Sequence, residues 1–235
     1  MVSMTKLPEG YRAVVIGASG GLGAAFVDQL KSDPRAGSVV GLSRQSDPAL
    51  DLTNEGSIER AAALIGARGP LHLVIDATGF LHDEHIRPEK ALRQLSYEGF
   101  AKNFLLNAIG PAYLIKHFHA LLPRDEPSAF GLLSAKVGSI EDNQIGGWYA
   151  YRAAKAAMNQ IVKTASVEIA RKWPEAVLLA LHPGTVATPL SEPFRGSRDV
   201  FTPEHATLRL LETINSAIGG KTGRFLSYDG RDLPW

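Results

Sequence analysis

Tyr151 and Lys155 stand four positions apart in Tyr-Arg-Ala-Ala-Lys, so on a helix they share one face. An ammonium beside a phenol favours the ionised form. At about 4 Å and an effective dielectric near 20 the attraction reaches about 4 kcal/mol, roughly three units off a phenol's ordinary pKa near 10. A tyrosine so placed can donate and accept protons near neutral pH. The same spacing is common on solvated helix faces, so the pair gains meaning only from companions. Ser134 ends the apolar run Phe-Gly-Leu-Leu, and a hydroxyl at a strand's carboxyl edge can donate to a carbonyl. Asn107 lies in Asn-Ala-Ile-Gly-Pro inside a long helical pattern that Gly110 and Pro111 disfavour, and a buried asparagine there needs partners.

A second constellation is Gly17-Ala18-Ser19-Gly20-Gly21-Leu22-Gly23, which directly follows an apolar run and opens a helical pattern. Backbone amides at such a helix start can receive a pyrophosphate, and glycine permits the close approach. The second apolar run ends in Leu42-Ser43-Arg44, with no carboxylate to hold both ribose hydroxyls and with a guanidinium that suits a 2′-phosphate. This favours NADP(H) over NAD(H), with Ser19 or Ser43 adding a hydroxyl; the alternative is a solvated surface arginine.

The elements that must position these residues can be read from periodicity. Apolar runs at 12–16, 38–42, 71–75, 130–133 and 177–181 read as buried parallel strands. Helical patterns fall at about 22–31, 55–65, 97–121, 148–173 and 203–218. The alternation predicts an α/β fold, a doubly wound parallel sheet of Rossmann type in a single three-layer domain over 1–235. Loops at 80–88 and 184–202 follow strand carboxyl ends, where open α/β sheets bind ligands; 184–202 is the expected substrate loop.

The order of these motifs resembles the short-chain dehydrogenase/reductase family, with Gly17, Gly21 and Gly23 spaced as in its glycine loop. Ser134-Ala-Lys-Val-Gly-Ser-Ile, Gly-Gly-Trp-Tyr-Ala-Tyr-Arg-Ala-Ala-Lys and Asp-Gly-Arg-Asp-Leu-Pro-Trp look like its C-factor and sniffer-type carbonyl reductase branch. The resemblance implies a tetrad of Asn107, Ser134, Tyr151 and Lys155, with the asparagine holding a water next to the lysine. Ser134 and Tyr151 are 17 residues apart, more than the family spacing, and Ser139, at 12, competes for the serine role. The family also implies that Asp51 hydrogen-bonds the adenine while Leu52 packs on it, although Asp51 equally suits an Asx turn. Asp76-Ala77-Thr78-Gly79 stands where the family has Asn-Asn-Ala-Gly, a loop against the cofactor ribose. His182-Pro183-Gly184-Thr185-Val186-Ala187-Thr188 resembles the segment whose backbone contacts the carboxamide.

The implied activity is hydride transfer between NADP(H) and a small carbonyl or alcohol substrate; the alternative is a cofactor-binding signalling protein of C-factor type. Trp148, Phe194 and Trp235 are candidates for a substrate pocket, Trp148 foremost. Composition narrows the classes further. The 25 basic and 24 acidic side chains give no bulk attraction to nucleic acid or an anionic membrane. The absence of cysteine excludes thiolate metal sites and thiol nucleophiles, and the seven histidines show no ligand spacing, so no metal is expected. With no apolar leader or membrane span, the expectation is a cytoplasmic enzyme, a homo-oligomer (dimer or tetramer) by the resemblance.

Overall fold

The computed structural model describes residues 3–194 and 200–235, and its centre is one six-stranded parallel sheet. The strands are β1 (Tyr11–Ile16), β2 (Ala36–Leu42), β3 (Leu73–Asp76), β4 (Ser128–Leu133), β5 (Ala176–His182) and β6 (Arg224–Ser227), in the order β2-β1-β3-β4-β5-β6. The helices are α1 (Gly21–Lys31), α2 (Glu55–Gly66), α3 (Tyr97–Phe104), α4 (Gly110–Phe118), α5 (Tyr149–Ile169) and α6 (Pro203–Ala217).

Alternate residues of each strand face opposite layers. Val14, Ile16, Val74 and Phe130 pack with Ile58 of α2, Phe118 of α4 and Met158 of α5. Ala13, Val15, Ile75 and Leu179 pack with Phe26 of α1 and Leu210 and Ile214 of α6. Burial on both faces explains why these strands read as continuous apolar runs. Chain order reverses between β1 and β3, which opens a crevice at their carboxyl ends.

Three expectations change. The pattern at 97–121 is not one helix: a π-helical turn, Leu105–Ile109, separates α3 from α4, and a 3-10 turn, His119–Leu121, follows. Pro111 has no N–H to return to the carbonyl of Asn107, so the regular ladder breaks there. The helix expected from 148 starts at Tyr149, because Trp148 has φ +54°. A sixth strand, β6, joins the sheet edge through only four residues, too short a run to stand out in the sequence.

Candidate active site

β1 delivers the chain into the glycine loop. Gly17 has φ +85°, and a Cβ on it would lie 3.0 Å from the Ala77 carbonyl carbon. A Cβ on Gly23 would stand 2.1 Å from the Gly17 carbonyl oxygen, so the loop closes on its helix only with glycine there. Gly17 and Ala18 donate their N–H groups to Leu42 O at 2.8 and 3.0 Å, and the start of α1 carries no side-chain cap. Uncapped amides beside a cradle that any Cβ would fill suit a pyrophosphate.

Beside this loop lies a cleft of about 610 Å³, which collects half of the expected cofactor residues. Gly17, Ser19 and Gly20 line it together with Ser43, Arg44, Asp51 and Leu52 and with Ala77, Thr78 and Gly79. Gly21 and Gly23 are not on its wall. The exposed Arg44 lies close enough to lower the pKa of Asp51. Asp51 forms the Asx turn: its Oδ1 accepts from Thr53 N and Oγ1 at 2.9 and 2.8 Å, which holds the carboxyl below the usual range. The Ser43 hydroxyl accepts from Gln45 N at 3.1 Å.

A second cavity, about 220 Å³, adjoins the carboxyl ends of β4 and β5. Its wall holds Ser134, Tyr151, His182 and Trp148, together with Leu22, Pro183, Gly184, Val186 and Thr188. Phe194 lines it too. Trp235 does not; it stacks on Phe225 at 5.6 Å instead. Of the two serines, Ser134 borders this cavity. Ser139 is held elsewhere, donating to Trp235 O at 3.3 Å and accepting from Asp142 N at 3.1 Å. In the 184–202 loop, residues 195–199, including Gly196, lie outside the described residues.

Tyr151 and Lys155 are both buried on the inner face of α5. Among the described residues the Tyr151 hydroxyl makes no hydrogen bond. Lys155 Nζ donates to Leu133 O at 2.8 Å and lies 5.9 Å from the Tyr151 ring centroid. This corrects the expectation of a phenol with a lowered pKa: burial pushes Tyr151 up. The ammonium turns to a main-chain carbonyl rather than the phenol oxygen. Burial also brings Lys155 down to about 8, against the opposing pull of Asp76.

Asn107 is fully buried in the π-helical turn. Its Oδ1 accepts from Phe80 N at 3.0 Å, and its Nδ2 donates to Phe80 O at 2.8 Å and Asn103 Oδ1 at 3.2 Å. The side chain thus clamps the loop after β3 to the helix.

Sequence reasoning missed several supporting residues. Asn159, one turn beyond Lys155, accepts the Ser134 hydroxyl at Oδ1, 2.7 Å away; its signal was the repeat of four from Tyr151 through Lys155. Asp76 is buried at the end of β3, where burial raises its pKa, and its Oδ1 accepts from Thr78 N and Oγ1 at 2.9 and 2.6 Å. Glu89 Oε2 accepts from Ala150 N at 3.3 Å at the start of α5. His182 Nδ1 accepts from Lys136 N at 3.2 Å, and burial takes its pKa down to about 4, so the imidazole is neutral.

The family model described as Enoyl-(Acyl carrier protein) reductase matches residues 20–226. The 1-hydroxy-2-glutathionyl-2-methyl-3-butene dehydrogenase of Rhodococcus sp. (strain AD45) is 31% identical over 190 residues, covering 80% of each chain. The C-signal of Myxococcus xanthus is 33% identical over 150 residues, covering 62% of this chain and 84% of the relative. Carbonyl reductase Sniffer of D. melanogaster superposes with a TM-score of 0.83 at 22% identity, covering 96% of this chain and 99% of the other. The NADPH-bound carbonyl reductase from chicken fatty liver gives 0.83 at 22% identity, covering 97% and 95%. These last two likenesses speak for the fold.

Proposed function

Because the chain belongs to the short-chain dehydrogenase/reductase family of oxidoreductases, we propose that it moves hydride between NADP(H) and a carbonyl or alcohol, with Tyr151 as general acid and base. The observation that carries this is a cavity lined by Ser134 and Tyr151, with Lys155 buried one turn along α5, set beside the glycine-loop cleft across the loop in which Leu81 lines the one and Phe80 and His82 the other. The glycine loop and the start of α1 hold the pyrophosphate, Arg44 meets the 2′-phosphate, and Gly184 and Thr188 flank the nicotinamide end. When bound, the nicotinamide supplies or accepts the hydride and, oxidised, adds a positive charge.

Tyr151 lines the second cavity and exchanges the proton with the substrate oxygen. Buried alone, the phenol keeps its proton, which suits the reductive direction: it donates as negative charge grows on the oxygen. Lys155 supplies a nearby positive charge that steadies the tyrosinate left behind. Ser134 lines the same cavity, and its single hydroxyl proton, held by Asn159 Oδ1 in the free chain, turns to polarise the carbonyl when substrate binds. Asn107 fixes the loop that borders both clefts.

Mixing the protein with NADPH and a panel of aldehydes and ketones tests the assignment. Tyr151→Phe should lower kcat by about 100-fold or more while leaving NADPH binding in place. Turnover that survives this substitution would refute the role of Tyr151. A second reading, a cofactor-binding signalling protein, draws on the C-signal relative; NADPH binding without any Tyr151-dependent turnover would favour it.

A further inference from the structure

We propose that the cavity beside Tyr151 selects small, uncharged carbonyl compounds bearing an aromatic ring, with Trp148 and Phe194 as the residues that set this preference. The inference rests on the hydride-transfer reading and names the substrate class of that site.

Three observations carry it. The first is the wall itself. The Trp148 and Phe194 rings meet edge to face with centroids 5.4 Å apart at 70°, and Trp148 meets Tyr151 at 6.1 Å and 71°. His82 continues the cluster beyond Phe194 at 5.2 Å. A flat ring entering the cavity extends an edge-to-face array that ends on the Tyr151 ring, and such contacts add to plain burial of apolar area.

The second is the backbone beneath the indole. Trp148 is the only non-glycine described residue with positive φ, +54°, following Gly146 at +70° and Gly147 at +67°. A bulky side chain avoids this region unless its surroundings impose it, and such positions gather at binding sites. Here they are imposed. The Trp148 N–H donates to Glu89 O, and Arg152 donates from Nε to Gly147 O at 2.9 Å and from its other nitrogens to Gly146 O and Val137 O at 3.2 and 3.3 Å. The chain accepts a strained backbone in order to present a tryptophan to the cavity.

The third is charge and size. Among the described wall residues the one ammonium, Lys136, is paired with Asp142 at 3.1 Å, and His182 is neutral. A carboxylate or phosphate on the substrate therefore finds no free cation to compensate its lost hydration. At about 220 Å³ the cavity also falls below the roughly 300 to 1,000 Å³ that hold drug-sized ligands.

The test compares acetophenone, cyclohexyl methyl ketone and 4-acetylbenzoate, reading kcat/KM from NADPH oxidation and affinity by isothermal titration of the NADP-loaded protein. Acetophenone should exceed the cyclohexyl ketone by about 5- to 10-fold in both readouts, and 4-acetylbenzoate should be the poorest. Trp148→Leu should bring the two neutral ketones to parity. Phe194→Leu, free of the strained backbone, should narrow the gap even if the Trp148 variant misfolds. A preference for the cyclohexyl ketone or the benzoate, or a gap that survives Phe194→Leu, overturns the inference. If acetophenone binds with the stated preference but no ketone is turned over through Tyr151, the inference stands and the hydride-transfer reading falls.

Discussion

Replacing Asp76 with asparagine isolates the one charge that works against burial at Lys155. Burial alone lowers the ammonium's pKa, and Asp76 opposes it, leaving the group at about 8. The asparagine oxygen can still accept from Thr78 N and Oγ1, so the turn after β3 survives the exchange. Asp76 and Lys155 attract without a hydrogen bond between them. Without the carboxylate, burial acts on the ammonium unopposed, and each unit by which its pKa drops is about a tenfold loss of the charged form at higher pH. The variant's Lys155 should therefore titrate below the native value of about 8. The ammonium is the form that supports Tyr151, so activity falls as pH rises through this pKa. The assay is the pH profile of kcat/KM for NADPH, which reports groups of the free enzyme. The native profile should fall above about pH 8, whereas the Asp76→Asn profile should begin to fall at lower pH, losing about tenfold on the alkaline side for each unit its descending limb moves. A descending limb that stays in place, or moves upward, would refute the electrostatic role of Asp76.

Three further predictions concern neighbouring residues. Lys155 titrates at about 8 when folded against 10.5 ordinarily, so the unfolded chain binds its proton more tightly and stability should rise with pH across that window. Lys155→Met should abolish turnover yet stabilise the fold at pH 7 by up to about 3 kcal/mol, less about 1 for the donor lost at Leu133 O, with the gain gone above about pH 10.5; denaturant titrations at both pH values check this, and a less stable variant at pH 7 contradicts it. Asn159→Leu frees the Ser134 hydroxyl and should lower kcat about 10-fold with the cofactor KM unchanged; stopped-flow rates that match the native protein would dismiss it. Arg44→Ala should weaken NADPH by about 10- to 100-fold and leave NADH alone, as read by fluorescence titration, because a charge-assisted bond to phosphate is lost; an unchanged ratio removes Arg44 from the site.

The sheet and glycine loop were legible because each rests on local signals: apolar runs buried on both faces, and glycines where a Cβ meets backbone. What the sequence hid was non-local. Asp76 reaches Lys155 because β3 registers with β4, placing Asp76 opposite Leu132, next to the carbonyl that receives the ammonium. Asn159 could equally have faced solvent, and only the fold turns it toward Ser134. The π-helical turn had a visible cause in Pro111, but periodicity over 97–121 outweighed it. The lowered phenol pKa was expected from spacing alone. Spacing sets a face; it says nothing of what else competes for the lysine on that face.

The strand order has a consequence for how the protein reaches its working state. Neighbours β1 and β3 are separated in sequence by β2 and α2, and every strand pair is parallel, so no pairing closes through a short hairpin. Such high contact order makes folding slow relative to helical bundles of similar size. The site draws on the ends of β1, β3, β4 and β5 at once. A half-folded chain therefore has no partial version of it, and competence to bind the nucleotide arrives only with the finished sheet.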